Sequence, residues 1–301
     1  METRSERWQT PDDDEIEIRR LDAPAEYSNT PRLILLHGLE GTIRSPYLQG
    51  IFALARARGW AADALIFRGC SGQTNRARRL YHSGETTDID LVVRRLAAEN
   101  PGQPLVAAGF SLGGNVLLKW LGEQGTNVPR ALVAAAAVSV PFDLERGSRH
   151  IEFGFSRVYT RHFLRTLKMK ARAKLERYPG AFDTLALERA QTLFEFDDWV
   201  TAPLHGFAGA HDYYSQSSSL GYLSGIRTRT LLISARDDPF LPREVLDDVA
   251  IVARENYAIC TEFHSRGGHV GFISGISPLG THYYAEERVM EFLAQHLARS
   301  A

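Results

Sequence analysis

The chain has 301 residues, 44% of them hydrophobic and 24% charged: enough apolar material for one large core or two small ones, without the charge excess of a disordered chain. Lys and Arg number 35 against 36 Asp and Glu, which leaves no global field for capturing nucleic acid. Two cysteines far apart in sequence, Cys70 and Cys260, suggest neither a disulfide framework nor zinc spacing and are read as reduced thiols.

The N-terminus, Met1-Glu2-Thr3-Arg4-Ser5-Glu6-Arg7 followed by Asp12-Asp13-Asp14-Glu15, is too charged for a signal peptide. No window approaches the ~20 apolar residues that span a bilayer, so a soluble cytoplasmic protein is the expectation. Glu15 to Leu21 alternates polar and apolar, as a half-exposed edge strand does. Leu33-Ile34-Leu35-Leu36 is a short apolar run of the kind buried on both faces of a sheet. A helix is expected from about Pro46 to Arg58 and a strand from about Trp60 to Phe67. Ile89, Val92, Val93, Leu96 and Ala97 then share one helical face, with Thr86 or Thr87 as the cap. The strand Pro104 to Ala108, a helix over Asn115 to Leu121 and an apolar run from Ala131 to Val140 continue the alternation, which predicts a mostly parallel sheet covered on both faces.

From about Pro141 to Ser215 no strand-like run occurs, and the segment reads as several helices. The alternation resumes with Thr230 to Ser234, a helix from about Glu244 to Arg254, a strand from about Tyr257 to Phe263 and a last helix from about Ala285 to Arg299. The expected organisation is one α/β domain over residues 1–301 with a helical cap inserted at about 142–215, above the carboxyl edge of the sheet.

Between its strand and its helix stands Gly109-Phe110-Ser111-Leu112-Gly113-Gly114, a Gly-x-Ser-x-Gly sequence in the context of a nucleophile elbow. The motif alone is weak, so its partners decide. A serine hydroxyl needs a base to take its proton, and the base needs an acid to hold its tautomer. In this fold class the chain order is Ser, acid, His, with acid and base in loops after late strands. Asp237-Asp238-Pro239 follows one such strand and Gly267-Gly268-His269-Val270-Gly271 the next. Asp238 precedes proline and sits four residues before Pro242, which favours it as the acid; Asp237 then becomes a carboxylate that supports the site from behind or caps the turn. His264 is the rival base, but its place at a strand end favours His269, whose flanking glycines let a loop bring the ring onto the serine. The oxyanion of an acyl-transfer intermediate needs backbone donors; they are assigned to the Leu112 amide and, in the His37-Gly38-Leu39-Glu40-Gly41 turn, to the Leu39 amide.

These runs, with Phe67 to Gly72, Tyr81 to Thr86, Phe196-Asp197-Asp198, Asp237 to Phe240 and Gly267 to Phe272, closely resemble the bacterial YheT-like α/β-hydrolases, from about Pro31 to the last helix. The resemblance implies an α/β-hydrolase fold and an esterase-like Ser-Asp-His hydrolase. Eukaryotic relatives in that family include membrane-anchored phospholipid hydrolases and acyl-CoA:alcohol acyltransferases; an N-terminal anchor like that of the membrane forms is not expected here, nor is a bilayer-resident role.

Four features have a bland and a functional reading. Arg68 could bind an acidic group and His82 and Glu85 could line the entrance, but a hydrogen-bonded loop structure is the preferred account; Cys70 is taken as a packed thiol. The stretch from Gly154 to Tyr178 carries eight basic residues, among them Lys170, against Glu176. It is read as a solvated helix face whose Val158, Tyr159, Leu164 and Leu167 cover an acyl pocket or the core, with peripheral contact to an anionic membrane as the alternative. The expectation is therefore an ester hydrolase for short to medium acyl chains that needs no metal or organic cofactor. Acyl transfer to an alcohol and phospholipase-like lipid hydrolysis are alternatives on the same triad, and a non-catalytic binding protein is a third.

Overall fold

The computed structural model describes residues 1–24, 30–274 and 282–298, without the side chain of Phe155. Strands β1 (Arg4–Gln9) and β2 (Glu15–Leu21) form an antiparallel hairpin, and β2 pairs antiparallel with β4 (Ala61–Ile66). From β4 the sheet continues in parallel through β3 (Arg32–Leu36), β5 (Leu105–Phe110), β6 (Leu132–Val138), β7 (Arg229–Ala235) and β8 (Ile259–His264). The order β1-β2-β4-β3-β5-β6-β7-β8 puts β3 and β5, whose loops carry the expected oxyanion turn and serine, side by side at the centre. The expectation for Glu15 to Leu21 needs one correction: its alternation buries Ile16 and Ile18, but β1, too charged to be recognised as a strand, holds the edge.

Helices α1 (Pro46–Ala57), α2 (Thr87–Glu99) and α3 (Leu112–Gln124) fall where the periodicity puts them. Thr86 stands at the N-cap of α2, as expected, but its side chain makes no capping bond; Glu85 instead accepts the Thr87 and Asp88 amides, at 2.8 and 3.3 Å, where a carboxylate also meets the positive end of the helix. Helix α3 buries ten consecutive residues from Leu112 to Leu121, since the sheet covers one side and the 3-10 segment Ser219–Gly225 the other. Gly122 allows that second contact: a Cβ there would stand 2.2 Å from the Tyr222 carbonyl.

Between β6 and β7 the chain is helical, as expected: α4 (Leu144–His150), α5 (Arg157–Arg177), α6 (Thr184–Arg189), α7 (Leu193–Phe196), a π-helical turn Asp197–Thr201, α8 (Ala202–His205) and α9 (Ala210–Ser217). It has its own small core around Leu164, Phe182, Leu187, Phe196 and Val200. Of the four α5 residues expected to cover a pocket or the core, Leu164 is buried and Leu167 lines a cavity, whereas Val158 and Tyr159 are exposed. Helix α10 (Val245–Glu255) and α11 (Tyr284–Leu297) complete the cover; the expected end of α11 at Arg299 lies outside the described residues.

Candidate active site

Ser111 stands between β5 and α3 with φ 52° and ψ −123°, a conformation that costs a non-glycine residue about 1–3 kcal/mol and persists where neighbours impose it. The neighbours are identifiable. The Ser111 amide donates to the Val138 carbonyl at 2.8 Å, and the Asn115 amide returns to the Ser111 carbonyl at 3.1 Å. The turn closes this tightly because Gly109 and Gly113 lack side chains: a Cβ on Gly109 would lie 2.5 Å from the Gly113 carbonyl, and one on Gly113 would lie 2.4 Å from the His37 carbonyl.

His269 Nε2 is 3.0 Å from Ser111 Oγ, and His269 Nδ1 is 2.8 Å from Asp238 Oδ2. A proton on Nδ1, donated to Asp238, leaves Nε2 with its lone pair toward the hydroxyl, the arrangement a general base requires. Asp238 is 4% exposed and its other oxygen accepts the Phe240 amide at 2.8 Å. Asp237 points elsewhere. Its Oδ1 accepts the amides of Gly267 and Gly268 at 2.8 and 2.9 Å, clamping the loop that carries His269 to the loop that carries Asp238. That loop has positive φ at Gly268, Val270 and Phe272 and is further held by the Val270 amide donating to Ser139 Oγ at 3.2 Å. His264 ends β8 and packs edge-on against the Tyr284 ring, 4.8 Å between centroids, away from Ser111.

In the turn after β3, the amides on either side of Leu39 are taken. Gly38 N–H donates to the Tyr47 hydroxyl at 2.8 Å and Glu40 N–H to the Tyr81 hydroxyl at 2.9 Å. Among the described residues neither the Leu39 nor the Leu112 amide has a protein acceptor. His37 braces this turn: Nδ1 lies 2.8 Å from the Gly38 carbonyl and Nε2 accepts the Phe67 amide at 3.0 Å. Burial pushes its pKa down to about 4, so the ring is neutral at ordinary pH, as an acceptor must be.

Ser111 and His269 open into a cavity of about 410 Å³ between the sheet edge and the helical segment, within the range of small-molecule sites. Lys170 of α5 lines it and reaches Glu40 Oε1 at 2.6 Å and Cys70 Sγ at 3.1 Å. The Cys70 thiol, pushed up to about 11 by burial, stays protonated and inert. Arg68 is fully buried against Asp88, Asp14 and Asp12, which satisfies it within the loop structure. His82 lines the cavity, its ring tilted against that of His205 with centroids 4.6 Å apart, and burial holds its pKa well below the ordinary value. Among the described residues, no group of three His, Cys, Asp or Glu side chains is placed to hold a metal. Lys170 and the clamp made by Asp237 are features that sequence reasoning missed, because neither contact follows from local spacing.

A strand-to-helix serine turn above a central parallel sheet defines an α/β hydrolase, and the chain belongs to the alpha/beta hydrolase fold family, whose model matches residues 31–258. Within it the chain is 42% identical to the Escherichia coli protein named "Putative esterase YheT", over 97% of this chain and 85% of that protein, which puts it among the YheT-like members. It is 30% identical to "Phospholipase ABHD3" of Mus musculus and 32% identical to "Monoacylglycerol lipase" of Saccharomyces cerevisiae, covering 83% and 85% of this chain. The chain spans 60% and 57% of the length of those two proteins. The solved structure of the Pyrococcus furiosus esterase PF2001 superposes with a TM-score of 0.63 at 16% identity, covering 98% of this chain and 91% of that one, a likeness of fold alone.

Proposed function

We propose that the chain is a serine hydrolase of carboxylic esters with short to medium acyl chains, in which Ser111, His269 and Asp238 form the catalytic triad. The observation that carries this reading is the continuous hydrogen-bonded line from Ser111 Oγ through His269 to Asp238, at 3.0 and 2.8 Å, opening into the cavity. Ser111 Oγ bonds to the ester carbonyl carbon while its proton passes to His269 Nε2. Asp238 accepts from Nδ1–H and stabilises the imidazolium. The negative oxygen of the tetrahedral intermediate lies between the Leu39 and Leu112 amides, each such donor being worth about 100- to 1000-fold in rate. His269 returns the proton to the departing alkoxide as the C–O bond breaks, leaving an acyl-serine. Water, losing its proton to His269, then releases the acid and restores Ser111.

No step calls for a metal or organic cofactor. The helical segment at 142–215 serves as the cap that selects the ester, since α4, α5 and α7 to α9 supply most of the cavity wall opposite the sheet. A cytoplasmic location fits the free state of both Cys70 and Cys260. No helix among the described residues is long and apolar enough to cross a membrane. The reading is tested by hydrolysis of p-nitrophenyl butyrate: Ser111→Ala loses turnover by at least about 1000-fold with the thermal midpoint kept, and retained turnover overturns it.

A further inference from the structure

Asp197 and Asp198 are neighbours with different fates. Asp198 Oδ1 accepts the Ala210 amide at 2.8 Å, an internal tie at the start of α9. Asp197 opens the π-helical turn Asp197–Thr201 and lines the same cavity as Ser111. Such turns disrupt the regular helical ladder and are common at functional sites. Two hydroxyls reach the carboxyl: Thr201 Oγ1 donates to Oδ1 at 2.7 Å and the Tyr214 hydroxyl to Oδ2 at 2.8 Å. A carboxylate has about four acceptor positions, so two remain. No Lys, Arg or His is paired with it among the described residues, and Phe196, Val200, Leu204 and Tyr213 line the same cavity.

A negative charge without a partner in an apolar cavity is expensive, and a bound cation offsets that cost while filling the vacant acceptor positions. A hydroxyl could fill the positions but would leave the charge unbalanced. The rings of Tyr213 and Tyr214, which line the same cavity with centroids 5.2 Å apart, favour the same class of ligand. From this geometry we infer that Asp197 is a specificity-determining residue that selects esters bearing an ammonium group at the end remote from the scissile bond. The inference rests on the cavity being the substrate site. Burial pushes the Asp197 carboxyl up to about 6, so it is mostly ionised at neutral pH and available to pair.

The test is calorimetric binding at pH 8 of three six-carbon probes, hexylamine, 1-hexanol and hexanoate, to Ser111→Ala protein, which reads the cavity without turnover. Hexylamine is expected to bind at least about tenfold more tightly than 1-hexanol, with hexanoate weakest. Adding Asp197→Asn should remove that preference while changing 1-hexanol less than about threefold. Equal binding of hexylamine and 1-hexanol, or a preference that survives Asp197→Asn, overturns the inference. Should Asp197→Asn not fold, Tyr214→Phe strips one donor from the carboxylate and is expected to tighten hexylamine several-fold; unchanged or weaker binding then overturns it. Hydrolysis of p-nitrophenyl butyrate by the unaltered protein separates the two readings: no turnover with hexylamine preference intact rejects the esterase and keeps the ammonium site, and turnover without that preference does the reverse.

Discussion

Lys170 and Glu40 are joined by a charged hydrogen bond of 2.6 Å, with side chains 14% and 8% exposed, and that bond ties α5 of the helical segment to the turn that carries Leu39. Glu40 holds φ 54°, and the Tyr81 hydroxyl shares the same carboxylate oxygen, donating to Oε1 at 2.7 Å while accepting the Glu40 amide. Position and charge of the turn therefore depend on a residue 130 positions away.

Lys170→Met is expected to lower stability by about 2–3 kcal/mol, since it strands a largely buried carboxylate, and to lower kcat about tenfold through displacement of the Leu39 amide with KM little changed. Adding Glu40→Gln should recover at least half of the stability. Thermal unfolding and steady-state kinetics of the single and double variants check this; strictly additive losses would show that the two residues act independently.

The two adjacent aspartates should separate cleanly. Asp238→Ala removes the acceptor of His269 Nδ1 and is expected to cost about 1000- to 10,000-fold in kcat. Asp237→Ala releases the Gly267 and Gly268 amides but leaves the His269 to Asp238 bond in place. Its expected cost is about 10-fold, with faster proteolysis in the loop that carries His269. Equal losses would mean that the carboxylates share one role.

Glu286 sets a pH dependence of stability. It is 4% exposed on α11, its Oε2 has no hydrogen-bond partner, and burial pushes its pKa from 4.5 up to about 7. A carboxyl raised in the folded state favours folding below its unfolded pKa, and this contribution is lost as pH rises through 7. Glu286→Gln is therefore expected to stabilise by about 1–3 kcal/mol at pH 8 and by little at pH 4.5, read as thermal midpoints. An equal shift at both pH values would contradict the assignment.

Gly113 and Gly147 form a contrasting pair. Gly113→Ala forces a Cβ to within 2.4 Å of the His37 carbonyl and 2.6 Å of the Leu36 carbonyl, backbone atoms that cannot yield cheaply. A loss above about 3 kcal/mol, or no soluble protein, is expected. Gly147 lies in α4 with nothing within 4 Å of an added Cβ, so Gly147→Ala should stabilise by about 0.5–1 kcal/mol. Urea unfolding of both variants distinguishes tight packing from ordinary helix propensity.

What was legible in the sequence was whatever depends on near neighbours. The buried runs of β3, β5 and β7, the face of α2 and the Gly109 to Gly114 turn each follow from local periodicity or from spacing. The proposed triad was legible because chain order and strand rhythm stand in for distance: Ser111, Asp238 and His269 each follow a strand of one sheet. Strand β1 was hidden because its outward side chains are charged and Trp8 is its one deeply buried residue. Val158 and Tyr159 were misplaced because a 21-residue helix with a mixed surface does not announce which stripe faces the cavity. Lys170 to Glu40 and Asp237 to Gly267 are contacts between distant segments, and no residue pattern near either partner encodes them.

The central claim is that Ser111 is the nucleophile activated by His269. Intact-protein and peptide mass spectrometry after treatment with a fluorophosphonate tests it most directly. One adduct on Ser111, formed at least about 1000-fold more slowly in His269→Ala protein, is the predicted result. An adduct on another residue, or labelling of Ser111 at an undiminished rate without His269, would contradict it.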